Sequence, residues 1–371
     1  MSRAPRLLWL GTYESDYPRT RVLHAGLREL GAEPLACHRP VWELTRHKAG
    51  EFLSPRRLPR TAALYARAWA AIAREQRRIG DVDAVVAGYP AQLDAPWAWL
   101  VARARRVPLL IDAMISLADT LGGDRARSTG AATRVLGAID WAGLHAGTRV
   151  LADTATHADY FAARFRIPRE RLAVVPVGAE EAHFPPAPAP ADGPVLFYGK
   201  LAPLHGIQTV LAAAREPGVP PVRMIGDGQL GPWLDAELAR DRPPGVTHLP
   251  WVPYEELAGE LATATVALGV FGASEKAARV VPNKVFQAMA VGRPIVTADT
   301  PGVREVLTHE RDALLVPAAD PPARAGGAAR GPGRGDAARR LGTAARARYE
   351  EVGRPRAVAQ RLLAALPPGR A

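Results

Sequence analysis

Apolar residues follow two rhythms along this chain. Short unbroken blocks, such as Leu7-Leu8-Trp9-Leu10 and Pro108-Leu109-Leu110-Ile111, alternate with longer stretches in which apolar positions recur every third or fourth residue. Unbroken blocks mark strands buried on both faces, and the wider spacing marks helices lying against them. The blocks predict strands at 7–11, 33–37, 83–88, 108–112, 149–153 and 172–177. A polar loop, 12–17, leads into a helix over 18–30 that Pro18 opens and Gly31 stops. The rhythm breaks at 184–194, which carries five prolines and cannot be the interior of a regular element. It then restarts, with strands at 195–198, 222–225, 246–249, 266–270 and 295–298 and helices at 207–215, 232–240, 255–261 and 283–291.

This alternation predicts an α/β fold with two doubly wound parallel sheets. The expected domains are 1–183 and 195–350, with 184–194 as a proline-rich linker. Val358, Leu362, Leu363 and Leu366 give 351–371 an apolar helical face, expected to pack back on the first domain. Residues 321–336, rich in Ala, Gly, Arg and Pro, resist any periodic reading and are read as loop; 339–349 is helical again.

At 371 residues, two domains are the default. No apolar run approaches the roughly 18 residues that span a bilayer. The block at 7–10 is too short for the core of a signal peptide, so a cytoplasmic location is expected. A single cysteine, Cys37, excludes an internal disulfide and a cysteine-rich zinc site. The net charge of +11 changes the picture more. It reflects either arginine used freely throughout or an anionic partner. Between positions 39 and 78 there are ten Lys and Arg residues against three glutamates, with Leu64, Trp69 and Ile72 interleaved. That pattern predicts an amphipathic basic helix suited to peripheral contact with an anionic membrane, the inner membrane surface for a cytoplasmic protein, or with an anionic acceptor. No nucleic-acid recognition module is present, so nucleic acid is not an expected partner.

Open α/β sheets take ligands at the carboxyl ends of their strands, where helix N-termini present free N–H groups. In the second domain the strand ending at Tyr198 runs into Gly199-Lys200 and on to His205-Gly206, so Lys200 and His205 sit on a strand-end loop. Lys284 falls in the first turn of the helix at 283–291, where a cation opposes the helix dipole by about 0.3–1 kcal/mol. Such a lysine is either solvated or meets an anion. Taken together, Lys200, His205 and Lys284 describe a diphosphate site that needs no metal or other cofactor. Gly226-Asp227-Gly228-Gln229-Leu230-Gly231 has the spacing of a dinucleotide fingerprint. It is not in the first unit of its domain, and the next strand does not end in the ribose-binding acid, so it reads as a tight turn. In the first domain, Asp16 and Asp112 lie at or just beyond strand ends, where each either orients an acceptor hydroxyl or caps a turn. His24, inside the first helix, reads as structural. There is no P-loop, no His-Glu-x-x-His and no Gly-x-Ser-x-Gly.

Residues 195–318 resemble the C-terminal domain of retaining glycosyltransferases of family 4. The resemblance rests on Gly199-Lys200 through His205-Gly206, Ile225-Gly226-Asp227-Gly228, Phe271-Gly272, Pro282-Asn283-Lys284-Val285-Phe286-Gln287-Ala288-Met289-Ala290, Pro301-Gly302-Val303-Arg304-Glu305 and Leu314-Leu315-Val316. The first domain is similar more loosely, through the 11–19 loop, which holds Thr12, Asp16 and Arg19. The resemblance implies the GT-B fold, two Rossmann-like domains facing across a cleft. It also implies transfer of a sugar from a nucleotide-sugar donor to an unknown acceptor, with Lys200, His205 and Lys284 at the diphosphate. Gly199, Gly206, Glu275, Asn283, Gln287 and Glu305 would bind the donor, and Thr12, Asp16, Arg19 and Asp112 would lie on the acceptor side. The family carries two glutamates eight residues apart. Here the second place holds Gln287 and the first Arg279, with Glu275 nearby but out of register. Either Glu275 reaches the sugar by a loop shift, or Lys276 and Arg279 mark an altered donor pocket. Other readings of the same fold are a nucleotide-sugar epimerase or hydrolase, or a non-catalytic nucleotide-sugar-binding relative.

Overall fold

The computed structural model describes residues 4–41, 58–120, 130–318 and 336–367. The chain divides into two compact units. One runs up to Pro176 and takes back the chain from Val358; the other is Val177–Ala357.

In the first unit, β1 (Arg6–Gly11), β2 (Glu33–His38), β3 (Ala84–Ala87), β4 (Leu109–Asp112), β5 (Arg149–Ala152) and β6 (Leu172–Val174) form one parallel sheet in the order β2-β1-β3-β4-β5-β6. Residues 7–10 pair with 34–37 on one side and 84–87 on the other. All four are fully buried, which is why that block has no polar position. Parallel neighbours need right-handed crossovers. The chain steps from β1 to β2 in one direction and from β2 onward in the other, so its helices divide between the two faces. Val22, Leu23 and Leu27 of the helix Pro18–Glu29 pack on Leu7 and Trp9, together with Val358, Ala359 and Leu362 of the helix Pro355–Ala364. The helices Leu58–Glu75, Ala95–Arg105, Ala131–Ala146 and Ala155–Phe165 lie on the opposite face, where Trp69, Ala98, Leu144 and Phe161 join Leu8 and Leu10.

The second unit holds β7 (Val195–Tyr198), β8 (Val222–Ile225), β9 (Val246–Leu249), β10 (Val266–Leu268), β11 (Ile295–Ala298) and β12 (Leu314–Val316), all parallel, in the order β12-β11-β10-β7-β8-β9. The helix Asn283–Val291 is sunk in this unit, with residues 284–291 all buried. Several strands end a residue or two before their apolar blocks do. At 266–270 the last residues leave the regular ladder, and the Val270 N–H turns to the Thr297 hydroxyl at 3.2 Å.

The proline-rich stretch 184–194 belongs to the second unit. Phe184 is fully buried and packs edge-on against Tyr254. Proline has no N–H to give, so what remains to be satisfied there is carbonyl oxygen. Arg293 supplies donors, its Nη2 reaching the carbonyls of Ala187 at 2.8 Å and Pro188 at 2.7 Å. The aperiodic stretch 321–336 lies outside the described residues, except for Asp336, which begins the helix Asp336–Val352.

Candidate functional site

The strand order of the second sheet reverses between β7 and β10. At such a reversal the loops leaving two neighbouring strands diverge, and a crevice opens at their carboxyl ends. Here the loops are 199–206 after β7 and 269–274 after β10. Two glycines let them meet. A Cβ on Gly206 would fall 2.7 Å from the Phe271 carbonyl carbon, and one on Gly272 would fall 2.3 Å from the Leu204 carbonyl oxygen. The Phe271 N–H donates to the His205 carbonyl at 3.2 Å, and the Gly272 N–H to the Leu204 carbonyl at 3.1 Å. These bonds fix the turn Pro203–His205 and aim its imidazole.

His205 Nδ1 donates to the Lys200 carbonyl, which leaves a lone pair on Nε2 while the ring is neutral. Burial, the charge of Lys284, and the further charges of Lys276 and Lys200 hold His205 well below the usual histidine range, against the opposing effect of that hydrogen bond. Lys284 enters the same place from the helix Asn283–Val291, whose N-cap, Pro282, makes no side-chain hydrogen bond. Only 5% of Lys284 is exposed. Its Nζ has no hydrogen-bond partner and lies 4.0 Å from the centre of the Phe197 ring. A Cβ on Gly199 would sit 3.3 Å from that nitrogen and 3.6 Å from His205 Cε1. Burial lowers the Lys284 ammonium from its ordinary 10.5 to about 7. A desolvated ammonium without a counter-charge is costly, and an arriving anion would relieve the cost. Gly199, His205 and Lys284 therefore converge, with Lys200 exposed on the same loop and Asn283 half-buried beside Lys284.

Gln287 is buried beneath them. Its Oε1 accepts from the Tyr198 hydroxyl at 2.7 Å, and its Nε2 faces the Tyr254 hydroxyl at 3.5 Å. Tyr254 in turn donates to Glu180 Oε2 at 2.7 Å. Two tyrosines thus fix the amide, and a carboxylate stands one step behind it. Glu275 does not join this group. Its side chain is 94% exposed and its ion-pair partner is Arg279, at 3.5 Å. It starts the short helix Glu275–Arg279, whose cap, Ser274, accepts from the Ala277 N–H, and that register turns the carboxylate to solvent. Glu305 is half-buried at the end of the short helix Pro301–Arg304. Phe197, Tyr198, Tyr254 and Glu180 had no sequence signal as site residues. Their relation to Lys284 and Gln287 spans many tens of positions.

In the first unit the four acceptor-side residues divide. Asp16 is exposed on its loop. Thr12 is tied down: its N–H and hydroxyl both donate to Asp94, at 2.6 and 3.1 Å. Asp94 also accepts from the Tyr65 hydroxyl and Trp69 Nε1, each at 2.8 Å, and burial raises it to about 6. Asp94 stands just before the helix Ala95–Arg105, but its side chain makes no cap bond and holds the β1 loop instead. Arg19 and Asp112 pair with each other, Nε to Oδ1 at 2.7 Å, both buried. Arg19 Nη1 also donates to the Val175 and Pro176 carbonyls. A carboxylate spent on a buried guanidinium is not available to orient a hydroxyl, so Asp112 serves this unit's core. His24 packs edge-on against Trp9, and burial lowers it to about 4. Among the described residues no group of three or more His, Cys, Asp or Glu is placed to hold a metal ion, and no helix is long and apolar enough to cross a membrane.

The fold and site define a class: a protein of two doubly wound α/β units with a cationic crevice at the switch point of the second. The sequence profile described as glycosyl transferases group 1 matches residues 193–330. Over that region the chain is similar to the group 1 glycosyltransferases, and its two six-stranded parallel sheets have the arrangement of GT-B structures. Among solved structures, the sucrose-phosphate synthase of Thermosynechococcus elongatus is similar over 98% of both chains, with 18% identity and a TM-score of 0.74. The Anabaena protein HepE, solved in complex with UDP-glucose, is similar over 97% of this chain and 98% of its own, with 13% identity and a TM-score of 0.69. TarM of S. aureus, solved with UDP among its ligands, matches 80% of this chain and 58% of its own, with 11% identity and a TM-score of 0.62. At these identities the likeness establishes the fold. No curated protein matches the sequence.

Proposed function

We propose that this glycosyltransferase moves a hexosyl group from a uridine diphosphate sugar to an acceptor hydroxyl, with retention, and grips the donor's diphosphate in the crevice between β7 and β10. The observation that carries the reading is Lys284, a buried ammonium with no hydrogen-bond partner in the first turn of a helix whose N-cap makes no side-chain bond. The choice of uridine is supported by HepE, solved with UDP-glucose and with UDP.

In this reading Lys284 meets the diphosphate at close range. His205 takes a proton as the anion arrives, and Nε2 then donates to a phosphate oxygen. Lys200 covers the outer side, and Gly199 and Gly206 let the phosphate approach the backbone. As the bond from the anomeric carbon to the diphosphate oxygen breaks, negative charge grows on the leaving group. Cations already in place stabilise that charge more than they stabilise the intact donor, which is what speeds the step. Gln287 keeps an amide N–H and a lone pair for a ribose hydroxyl, held by Tyr198 and Tyr254.

A thermal-shift screen of UDP-, GDP-, ADP- and TDP-sugars tests the donor. A true donor at a hundredfold over its Kd adds about 2.7 kcal/mol. Lys284→Ala should lose both donor affinity and turnover, and unchanged turnover would sink the assigned site. One observation favours a second reading: with Gln287 tied between tyrosines and Glu275 in solvent, the chain could bind nucleotide sugars without turning them over. Tight donor binding with no transfer or hydrolysis would decide for that reading. The setting we propose is cytoplasmic, supported by the single cysteine, Cys37, which is buried and raised to about 11. The arginine excess of residues 39–78, of which 42–57 lie outside the described residues, supports work against an anionic surface.

A further inference from the structure

The helices Leu58–Glu75, Ala95–Arg105 and Ala131–Ala146 lie on one face of the first sheet. Their inner sides are conventional core: Trp69, Ile72, Ala95, Ala98, Ala102 and Leu144 are buried. Their outer side is not a conventional surface. Among the described residues six large hydrophobic side chains are exposed, and five of them are here: Trp97, Trp99 and Leu100 on one helix, Val135 and Trp141 on the next. Three of the five are tryptophans, each about half exposed. Trp97 stacks on Trp69 at 5.9 Å, which ties the basic helix Leu58–Glu75 to this cluster.

The charges on the same three helices are one-sided. Arg60, Arg67, Arg74, Arg103 and Arg134 are exposed, and the Arg103 guanidinium lies 5.6 Å from the Trp99 ring. Only two acidic residues occur on these helices. Glu75 is paired with Arg39 at 2.5 Å. Asp140 is buried and accepts from the Ser116 hydroxyl and the N–H groups of Leu117 and Ala118. The exposed face thus presents indoles and guanidinium groups with hardly any negative charge to oppose them.

Indole is the side chain that settles at a bilayer's headgroup level, its body in the acyl boundary and its N–H in water. Arginine near an anionic leaflet strengthens binding by roughly fivefold per residue. We propose that this face docks the protein on an anionic lipid bilayer, with Trp97, Trp99, Leu100 and Trp141 entering the headgroup layer and the arginines on lipid phosphates. The inference deepens the anionic-surface reading of residues 39–78 and rests on it; the donor site is independent of both.

The test is flotation of the full chain with vesicles of phosphatidylcholine alone, or mixed with phosphatidylglycerol, at low and high salt. The expected result is binding only to the mixed vesicles, released by salt, with tryptophan emission quenched by brominated lipid. Arg67→Glu with Arg103→Glu should weaken partitioning by about tenfold or more. Trp99→Ser with Trp141→Ser should do the same with the melting temperature held, since neither indole is in the core; Trp97 is spared because it packs on Trp69. If mixed vesicles bind but the tryptophan variant binds equally well without change in quenching, the tryptophan face is refuted and the wider anionic-surface reading stands. If the mixed vesicles do not bind at all, both fall. Retardation of RNA or DNA that the same variants abolish, with vesicles ignored, would also overturn the proposal.

Discussion

Replacing Lys284 by methionine keeps the length and packing of the side chain and removes its charge. Lowering the ammonium from 10.5 to about 7 on folding corresponds to a penalty of roughly 5 kcal/mol when the group is fully protonated in both states. The Phe197 ring, 4.0 Å from Nζ, returns about 2 kcal/mol of that. Lys284→Met should therefore stabilise the protein by about 3 kcal/mol at pH 6, a rise in Tm of roughly 6–12 °C for a unit of this size. The sign with pH follows from linkage. The folded value is the lower one, so between about 7 and 10.5 the unfolded chain holds the extra proton, and the wild-type protein gains stability as pH rises through that window. At pH 9 the folded lysine is neutral, so the ring returns nothing and the remaining penalty is about 2 kcal/mol; the advantage of the variant should be smaller than at pH 6 and shrink further toward pH 10.5.

The same group sets the donor's pH dependence. An anion favours the protonated lysine, so binding should take up a proton above pH 7, and wild-type affinity for UDP should fall by up to about tenfold per pH unit toward pH 9. Scanning fluorimetry of both proteins from pH 6 to 9 reads the first effect. Calorimetry of UDP binding in two buffers of different ionisation enthalpy reads the second. A variant that melts below wild type at pH 6, or a stability difference that does not change with pH, would refute the burial argument. UDP affinity that is flat from pH 7 to 9 would refute the contact with the diphosphate.

Gln287→Glu should not restore a better site: Tyr254 already gives its proton to Glu180, so the new carboxylate loses a partner and is buried charged. A loss of about 1–3 kcal/mol at pH 7, recovering toward pH 5 as the group protonates, is expected in urea denaturation. Asp112→Asn leaves Arg19 charged and buried, and should cost about 3–5 kcal/mol with donor affinity unchanged in the protein that remains folded. Gly272→Ala drives a Cβ onto the Leu204 carbonyl, 2.3 Å away, and shifts the turn that aims His205. Donor affinity should fall about tenfold or more with little change in far-UV dichroism.

What was legible in the chain is what has a local period. The block 7–10 is apolar at every position because neighbouring strands and both helix layers cover it, so its place inside a parallel sheet could be read directly. The glycines at 199, 206 and 272 stood out only as part of the family-like stretches; the close backbone approach that requires them shows only in the structure. The helix at 283–291 was legible as a helix, but the burial of Lys284 was not, because a lysine in a first turn looks the same in sequence whether it points to water or into Phe197. Asp112 read as a strand-end acid that either orients an acceptor hydroxyl or caps a turn. That Arg19 claims it depends on a pairing across 93 positions, which no spacing rule supplies. The proline-rich stretch looked like a linker because prolines end regular elements. It packs in the second unit because Arg293 happens to be there to satisfy its carbonyls.

Gln287 shows why a motif residue cannot be judged alone. By position it replaces a charged group with a neutral one, which suggests a weakened hold on the ribose. In place, its amide oxygen accepts from Tyr198, and its amide nitrogen faces a tyrosine that is itself committed to Glu180. An amide fits this arrangement because it can accept on one side and donate on the other; a carboxylate could only accept. The negative charge has not left the neighbourhood. It sits on Glu180, one hydroxyl away, at the start of the second unit. Retuning the donor pocket would therefore require Gln287, Tyr254 and Glu180 to change together. Tyr254→Phe with Gln287→Glu should accordingly be less damaging than the sum of the two single changes, a coupling that a double-mutant cycle on donor affinity measures directly.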